Sequence, residues 1–356
     1  MTQKPLTIAV TGLNATDNPA PGVGVLRALR LGDPESRLVG LAYDALDAGI
    51  YADGLTSDVF LIPYPSQGLE AFFSRLEYVH DKVGLDVIIP TLDAELPSFI
   101  DLEPRLRQLG IRLFLPTREQ LDLRSKARLV DLGRKSGIVV PATAVVSDVE
   151  ELGRVHEKVP YPFFVKGVFY GATLASTYEE AVHAFYKVVS QWGLPVVVQA
   201  TVRGEEFNVV GVGDGKGGLV GAVPMKKMVI TDKGKGWAGI TVRDPALAEV
   251  TQAFVKATSW RGPFEVEAMR DAEGRYHLIE VNPRFPAWTF LSCAAGMNLP
   301  HAVAELAAGR PAPVFGDYKV GSMFVRIAID QVASFADFQH MVTLGEVART
   351  TNGGQP

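Results

Sequence analysis

The sequence has 356 residues, of which 47% are hydrophobic and 21% charged, with a formal net charge of −5. That is room for two or three domains and a sizeable core, and the balance of charge is that of a globular chain with nothing to offer a polyanion, so no nucleic-acid partner is expected. One cysteine excludes an intramolecular disulfide framework and fits a reducing compartment; no apolar run nears the roughly 18 residues of a membrane span, so the expectation is a cytoplasmic protein with no membrane partner.

The N-terminal "MTQKPLTIAV" goes directly into a strand pattern, with no signal-peptide core. "LTIAVTG" (6–12) reads as a buried strand, followed by the Pro/Gly loop "NATDNPAPGVG" and a helix-like "VLRALRL". "SRLVGLAY" and "DVFLIP" read as further strands, "EAFFSRLEYVHDKVG" as an amphipathic helix and "LDVIIPTLD" as another buried strand. Strands alternating with helices imply an open parallel sheet, assigned to residues 1–116 and ending near "RLFLPT". Its glycines at 12, 22 and 24 are too widely spread for a G-x-G-x-x-G dinucleotide turn.

Residues 117–160 read as a helical linker, because "REQLDLRSKARLVDLGRKSG" has helical periodicity and a glycine stop. From "PFFVKGVFYGA" onward the chain is rich in strands, Gly turns and hairpin signals, with the helix-like "YEEAVHAFYKVVSQW" between two of them. A small β unit is assigned to 161–203 and a larger, mainly antiparallel α+β unit to 204–349. The tail 350–356, "TNGGQP" with its preceding Thr, reads as disordered. Cys293 lies in the apolar "LSCAAGMNLP" and reads as a packed thiol rather than a nucleophile.

The segment "GPFEVEAMRDAEGRYHLIEVNPRF" holds two alternating runs around a turn at Asp271–Gly274. A four-residue loop, 272–275, sets Asp271 against Tyr276, Glu267 against Glu280 and Glu265 against Asn282, with His277 on the opposite face. Like charges directly across a strand pair destabilise it. The two carboxylates therefore call for a cation, a shared proton, or splayed and solvated side chains. Two carboxylates and an amide suit Mg²⁺ or Mn²⁺ rather than Zn²⁺, and Mg²⁺ commonly completes its shell with waters and substrate phosphates. Arg284, two residues beyond Asn282, could hold a phosphoryl or carboxylate oxygen.

Cations for such a ligand are at hand. Lys166 ends an apolar strand, where an unpaired ammonium is costly to bury, and the loop after it carries Gly167 and Gly171. Lys126 lies on the preceding helix; either lysine could equally extend to solvent. "VVVQATVRGEEFNVV" then gives an apolar strand, a short polar linker and two adjacent carboxylates. The linker offers backbone groups to an adenine edge and a carboxylate to ribose hydroxyls. Asp93 and Glu95, just beyond a buried strand, stand where open α/β sheets place ligands, or cap the following helix.

Taken in order, these motifs resemble the ATP-grasp superfamily over roughly residues 1–310, in the style of the ATP-binding halves of carbamoyl-phosphate synthetase, biotin carboxylase and D-alanine–D-alanine ligase. The most specific element is "EVNPR" with Glu267 thirteen positions before its glutamate, in that order after Lys126 and Lys166. The resemblance implies an α/β pre-ATP-grasp domain joined to an α+β ATP-grasp fold with a small β-lid and a larger metal-bearing sheet. It implies Glu267, Glu280 and Asn282 as metal ligands, Lys126 and Lys166 on the ATP phosphates, and Gln199, Ala200 and Val202 at adenine. Glu206 falls at the ribose, and Arg284, with Lys166, at the transferred phosphate. Gln199 stands where the family often has Glu, and the lid loop "GVFYGA" is shorter and poorer in glycine than the family's. Lys226, Lys227 and Arg243 could add compensating charge, Arg243 toward the substrate together with Asp93, Glu95 and Arg284, or be solvated hairpin residues.

The implied cofactors are ATP and Mg²⁺ (or Mn²⁺), and the implied activity an ADP-forming carboxylate–amine ligation through an acyl phosphate. The partners would be a small carboxylate and an amine, with a homodimer compatible. A nucleotide-binding regulatory protein without turnover, and a nicotinamide-dependent oxidoreductase built on the N-terminal domain, are the alternatives.

Overall fold

A computed structural model describes residues 4–15, 19–52, 54–168, 171–231 and 234–348. The expected disordered tail, 350–356, and Phe169 and Tyr170 of the lid loop lie outside them. The first sheet is built from β1 (Thr7–Val10), β2 (Arg37–Ala42), β3 (Asp58–Leu61) and β4 (Val87–Ile89), parallel in the order β3-β2-β1-β4. Helices cover both faces, which is why these strands read as continuous apolar runs. Ile8 and Val10 enter one core with Leu26 and Leu29 of helix Gly22–Gly32. Ala9 enters the other, with Phe72 and Leu76 of helix Leu69–Val83 and Phe99 of helix Leu96–Gln108. The stretch "RLFLPT" forms no strand of the sheet but a single bridge from Arg112 to Val87, and buries Leu113 and Leu115 in the second core.

A second sheet comprises β5 (Thr143–Val146), β6 (Phe163–Gly167), β7 (Ala172–Ala175) and β8 (Val196–Ala200), antiparallel in the order β5-β8-β6-β7. Helix Tyr178–Trp192, started by the Thr177 side chain accepting from Glu180 N, buries Ala181, Ala184, Phe185 and Val188 against it. The 117–160 segment is therefore more than a helical linker. Its "TAVV" forms a short strand that satisfies the free edge of β8, so the lid sheet begins at Thr143.

The largest sheet contains β9 (Glu205–Asp214), β10 (Leu219–Ile230), β11 (Gly236–Thr241), β12 (Arg261–Arg270), β13 (Tyr276–Asn282) and β14 (Met323–Val325). All neighbours are antiparallel, in the order β13-β12-β9-β10-β11-β14. The hairpin β12–β13 has one apolar face: Val266, Ala268, Leu278 and Val281 pack into a core with Phe254 of helix Pro245–Thr258 and Leu132 of helix Leu129–Ser136. Glu265, Glu267, Glu280 and Asn282 take the opposite face. On that same face Val210, Val223 and Met225 join the core of Ile8 and Val10, so one apolar core runs under both large sheets. Past the last helix, β15 (Glu346–Ala348) adds antiparallel to β3, returning the end of the 204–349 segment to the first sheet.

Candidate functional site

The hairpin pairs Glu265 with Asn282 and Glu267 with Glu280, as the alternation of charged and apolar residues requires. Toward the turn the register differs from expectation. Arg270, not Asp271, faces Tyr276, and an irregularity between Glu267 and Ala268 leaves Ile279 as the extra residue of β13. The turn closes through Asp271 N donating to Arg275 O at 3.0 Å, while Asp271 Oδ1 accepts from Arg275 N at 2.8 Å and Glu273 N at 3.1 Å. Because the bulge reverses the parity of β13, His277 sits opposite Met269 on the carboxylate face, not on the opposite one. It lies at the turn end, with Nε2 2.8 Å from Asp271 Oδ2.

Each carboxylate of the site has its own environment. Glu265 is 4% exposed and receives Asn208 Nδ2 and Trp288 Nε1 on Oε1, each at 2.7 Å, and Asn282 Nδ2 on Oε2 at 3.0 Å. Arg284 Nη1 stands 3.5 Å from that second oxygen. Burial, then the neighbouring Glu267 charge, push the Glu265 carboxyl above its ordinary range. Glu267 accepts from Asn282 Nδ2 at 3.0 Å and lies 3.5 Å from Lys227 Nζ. Burial would raise its pKa too, but Lys227, Lys235, Arg284 and Lys126 together hold it low, so Glu267 carries the charge. Glu280 pairs with Lys126 Nζ at 2.8 Å.

The cations converge from four directions. Lys126 arrives from the turn before helix Leu129–Ser136, Lys166 from β6, Lys227 from β10 and Arg284 from the end of the hairpin. Lys166 is 7% exposed and donates to Gln199 Oε1 at 2.6 Å. Burial pulls its pKa down to about 8, with Lys126 adding to the fall and Glu280 opposing it. Lys227 donates to Glu206 as well as facing Glu267; burial alone would lower its pKa, but the two carboxylates hold it above the ordinary lysine range.

The structure redirects several residues picked out from sequence. Gln199 is 3% exposed, with its oxygen on Lys166 and its Nε2 donating to Thr143 Oγ1 at 3.3 Å, so its side-chain oxygen is already taken and is not offered to a purine. Ala200 and Val202 lie half-buried at the end of β8 and in the linker beyond it. Glu95 is 1% exposed and filled by Thr11 Oγ1, Tyr43 OH, Thr91 N and Leu92 N. It shapes the loop after β4 and has no face left for a substrate. Arg243 pairs with Asp317 at 3.1 Å on the surface, and Lys226 with Glu205, both solvated. Asp93 does reach the site, through Arg284.

Sequence reasoning missed the supports of Glu265, Asn208 and Trp288, whose only signal is a polar atom inside an apolar run. It also missed Arg326. Lys227, Gly239 and Phe324 are successive cross-strand partners, and alternation puts Arg326 on their face of the sheet. Its Nε donates to Gly236 O at 2.9 Å, and among the described residues no carboxylate pairs with it. Burial lowers its pKa, opposed by Glu265.

The donor set fits a hard cation. Among the described residues no three His, Cys, Asp or Glu side chains converge on a metal position, and the opposed pair Glu267 and Glu280 with Asn282 offers two carboxylates and an amide. Mg²⁺ needs no more from a protein when phosphate oxygens and water complete its octahedron. No helix among the described residues is long and apolar enough to cross a membrane.

Residues 194–326 match a family model described as "ATP-grasp in the biosynthetic pathway with Ter operon". The chain is similar to phosphoribosylamine–glycine ligase of Synechocystis, 25% identical over 228 residues, 58% of this chain and 54% of that protein. It is similar also to D-alanine–D-alanine ligase of Chromohalobacter salexigens, 26% identical over 175 residues, 44% of this chain and 54% of that protein. The chain thus spans about half the length of the curated relatives it matches. Among solved structures, the biotin carboxylase domain dimer of Hydrogenobacter thermophilus 2-oxoglutarate carboxylase, in complex with MgADP, ADP and bicarbonate, superposes with a TM-score of 0.69 at 16% identity. That match covers 87% of this chain and 71% of the other, a likeness of fold.

Proposed function

We propose that this chain, which matches an ATP-grasp family model over residues 194–326, is an ATP- and Mg²⁺-dependent, ADP-forming ligase that activates a small carboxylate as an acyl phosphate for attack by an amine. The observation that carries this reading is the pair Glu267–Glu280, directly opposed, with Asn282 ending the strand of Glu280, Arg284 two residues beyond it, and Lys126 and Lys166 close by. Such an arrangement can neutralise a triphosphate and hold an acceptor in line with it, which is most of what phosphoryl transfer asks of a protein.

In this reading Glu267, Glu280 and Asn282 would hold Mg²⁺, which would neutralise charge on the phosphates. Lys126 and Lys166 bind phosphate oxygens, Lys126 exchanging its Glu280 partner for them. The backbone of Gln199–Val202 receives the adenine, and Glu206 the ribose. Arg284 binds the γ-phosphoryl group and the carboxylate that accepts it, stabilising the charge that spreads over the equatorial oxygens. The carboxylate oxygen then bonds phosphorus as the ADP oxygen leaves, and an amine nitrogen displaces phosphate from the acyl carbon. No side chain need become covalently attached; Cys293, whose thiol burial pushes up, is poorly suited to do so.

The test is interception. With ATP, Mg²⁺ and a panel of carboxylates, hydroxylamine should yield a hydroxamate and the nucleotide product should be ADP. AMP and pyrophosphate would instead mean an adenylating enzyme, and nucleotide binding with no turnover across the panel would favour a regulatory protein.

A further inference from the structure

We propose that Asp93 is a positioning residue for Arg284, aiming the guanidinium of the hairpin from the first sheet; this role rests on the reading of Arg284 as a phosphate-binding group. Asp93 lies 191 residues before Arg284, in the loop beyond β4. That loop leaves the carboxyl end of the first sheet where β1 and β4 are neighbours and the chain connections diverge, the crevice in which open α/β sheets present side chains to ligands.

The geometry is specific. Arg284 Nε donates to Asp93 Oδ2 at 2.8 Å, and Nη1 donates to Phe285 O at 3.3 Å and leans on Glu265 at 3.5 Å. Among the described residues Nη2 donates to none. A guanidinium is planar with five donors in a fixed fork, so an acceptor on Nε and another on Nη1 fix its plane and its rotation. The remaining edge is left for an incoming anion. The carboxylate that does this is itself held: Asp93 Oδ1 faces Arg124 Nη1 at 3.4 Å, and both side chains are buried. Arg124 stands two residues before Lys126, which pairs with Glu280. Asp93 therefore ties the first sheet, the segment carrying Lys126 and the hairpin at one carboxylate, and any shift of the first domain would turn Arg284.

An aimed arginine binds phosphate better than a loose one, because the ordering entropy is already spent. The prediction is read in the full-length protein saturated with MgADP, using inorganic phosphate as the probe. Asp93→Asn, close to isosteric, should weaken phosphate binding about tenfold while leaving MgADP affinity within about twofold. In an Arg284→Ala background the same substitution should cause no further loss, since its effect passes through that guanidinium. Thermal unfolding checks that each variant is folded. Unchanged or tightened phosphate binding in Asp93→Asn would overturn the proposal, tightening meaning that Asp93 competes for Arg284 rather than aiming it. An equal loss in both backgrounds would overturn it as well. If the wild-type protein loaded with MgADP takes no phosphate, the reading of the site fails first, and this role with it.

Discussion

Glu267 stands directly opposite Glu280 across the β12–β13 hairpin, and each is met by a lysine from a different part of the chain, Lys227 at 3.5 Å and Lys126 at 2.8 Å. Glu265, two residues away on the same face, meets Asn208, Trp288 and Asn282 instead. The two glutamates should therefore fail differently. Glu267→Gln should lower Mg²⁺-dependent ADP release by roughly a hundredfold or more with little change in thermal stability. Glu265→Gln puts an amide nitrogen among donors, and should cost about 1–3 kcal/mol of unfolding free energy, read from a denaturant midpoint. A stable Glu265→Gln protein with the larger loss of activity would reverse the two roles.

Lys166 supplies a pH signature. Burial brings its pKa from 10.5 to about 8. Between those values the unfolded chain holds a proton that the folded chain has released, so this group's contribution makes stability rise with pH across that window. Nucleotide binding runs the other way. Phosphates favour the charged ammonium, so MgATP binding should take up a proton and weaken above about pH 8, by up to roughly tenfold per pH unit. Calorimetry in buffers of different ionisation heat counts that proton. Lys166→Arg, which does not titrate there, should abolish the uptake; persistence of the full uptake in that variant would assign it to another group.

The lid sheet should tighten on nucleotide. Lys166 comes from β6, where it donates to Gln199 of β8, and it is drawn toward the large sheet by the charges of Glu280, Glu267 and Glu206. Amide exchange at Lys166–Val168 and along β7 should slow when Mg²⁺ and a non-hydrolysable ATP analogue are added, as a lid excludes water from the phosphates. Exchange unchanged at saturating analogue would mean that these strands do not close on it.

What the sequence discloses follows from which forces are local. The hairpin register at Glu267 and Glu280 could be read because charged and apolar residues alternate there and only one face can be buried. The bulge at Ile279 could not, since an extra apolar residue in an apolar run leaves no trace; it turned His277 to the other face. Of the adjacent Lys226 and Lys227, alternation guarantees that one faces the site but not which one. Gln199 looked free to meet a base because its partner Lys166 lies 33 residues away on another strand. The addition of β15 to β3 joins chain segments nearly 300 residues apart, with only a three-residue apolar–polar alternation as its local signal.

Lys227 gives the last prediction. Its ammonium lies between Glu206 and Glu267, donating to the first and 3.5 Å from the second, and it is held well above the ordinary lysine pKa, so it is charged throughout the neutral range. If Glu267 holds a divalent cation and Glu206 a ribose, Lys227 is the internal counter-ion that both carboxylates face without ligand. Lys227→Met keeps the apolar stem and removes the charge, leaving two half-buried carboxylates to repel each other. In metal-free buffer the variant should unfold at lower temperature than the wild type. Mg²⁺ or Mn²⁺ alone should then restore much of the difference, because a cation binding between the carboxylates replaces the missing one. The wild type, already compensated, should gain less from the same concentration. Thermal unfolding of both proteins across a Mg²⁺ titration measures this. A variant that is destabilised but gains no more from Mg²⁺ than the wild type would mean that Glu267 does not face a cation site.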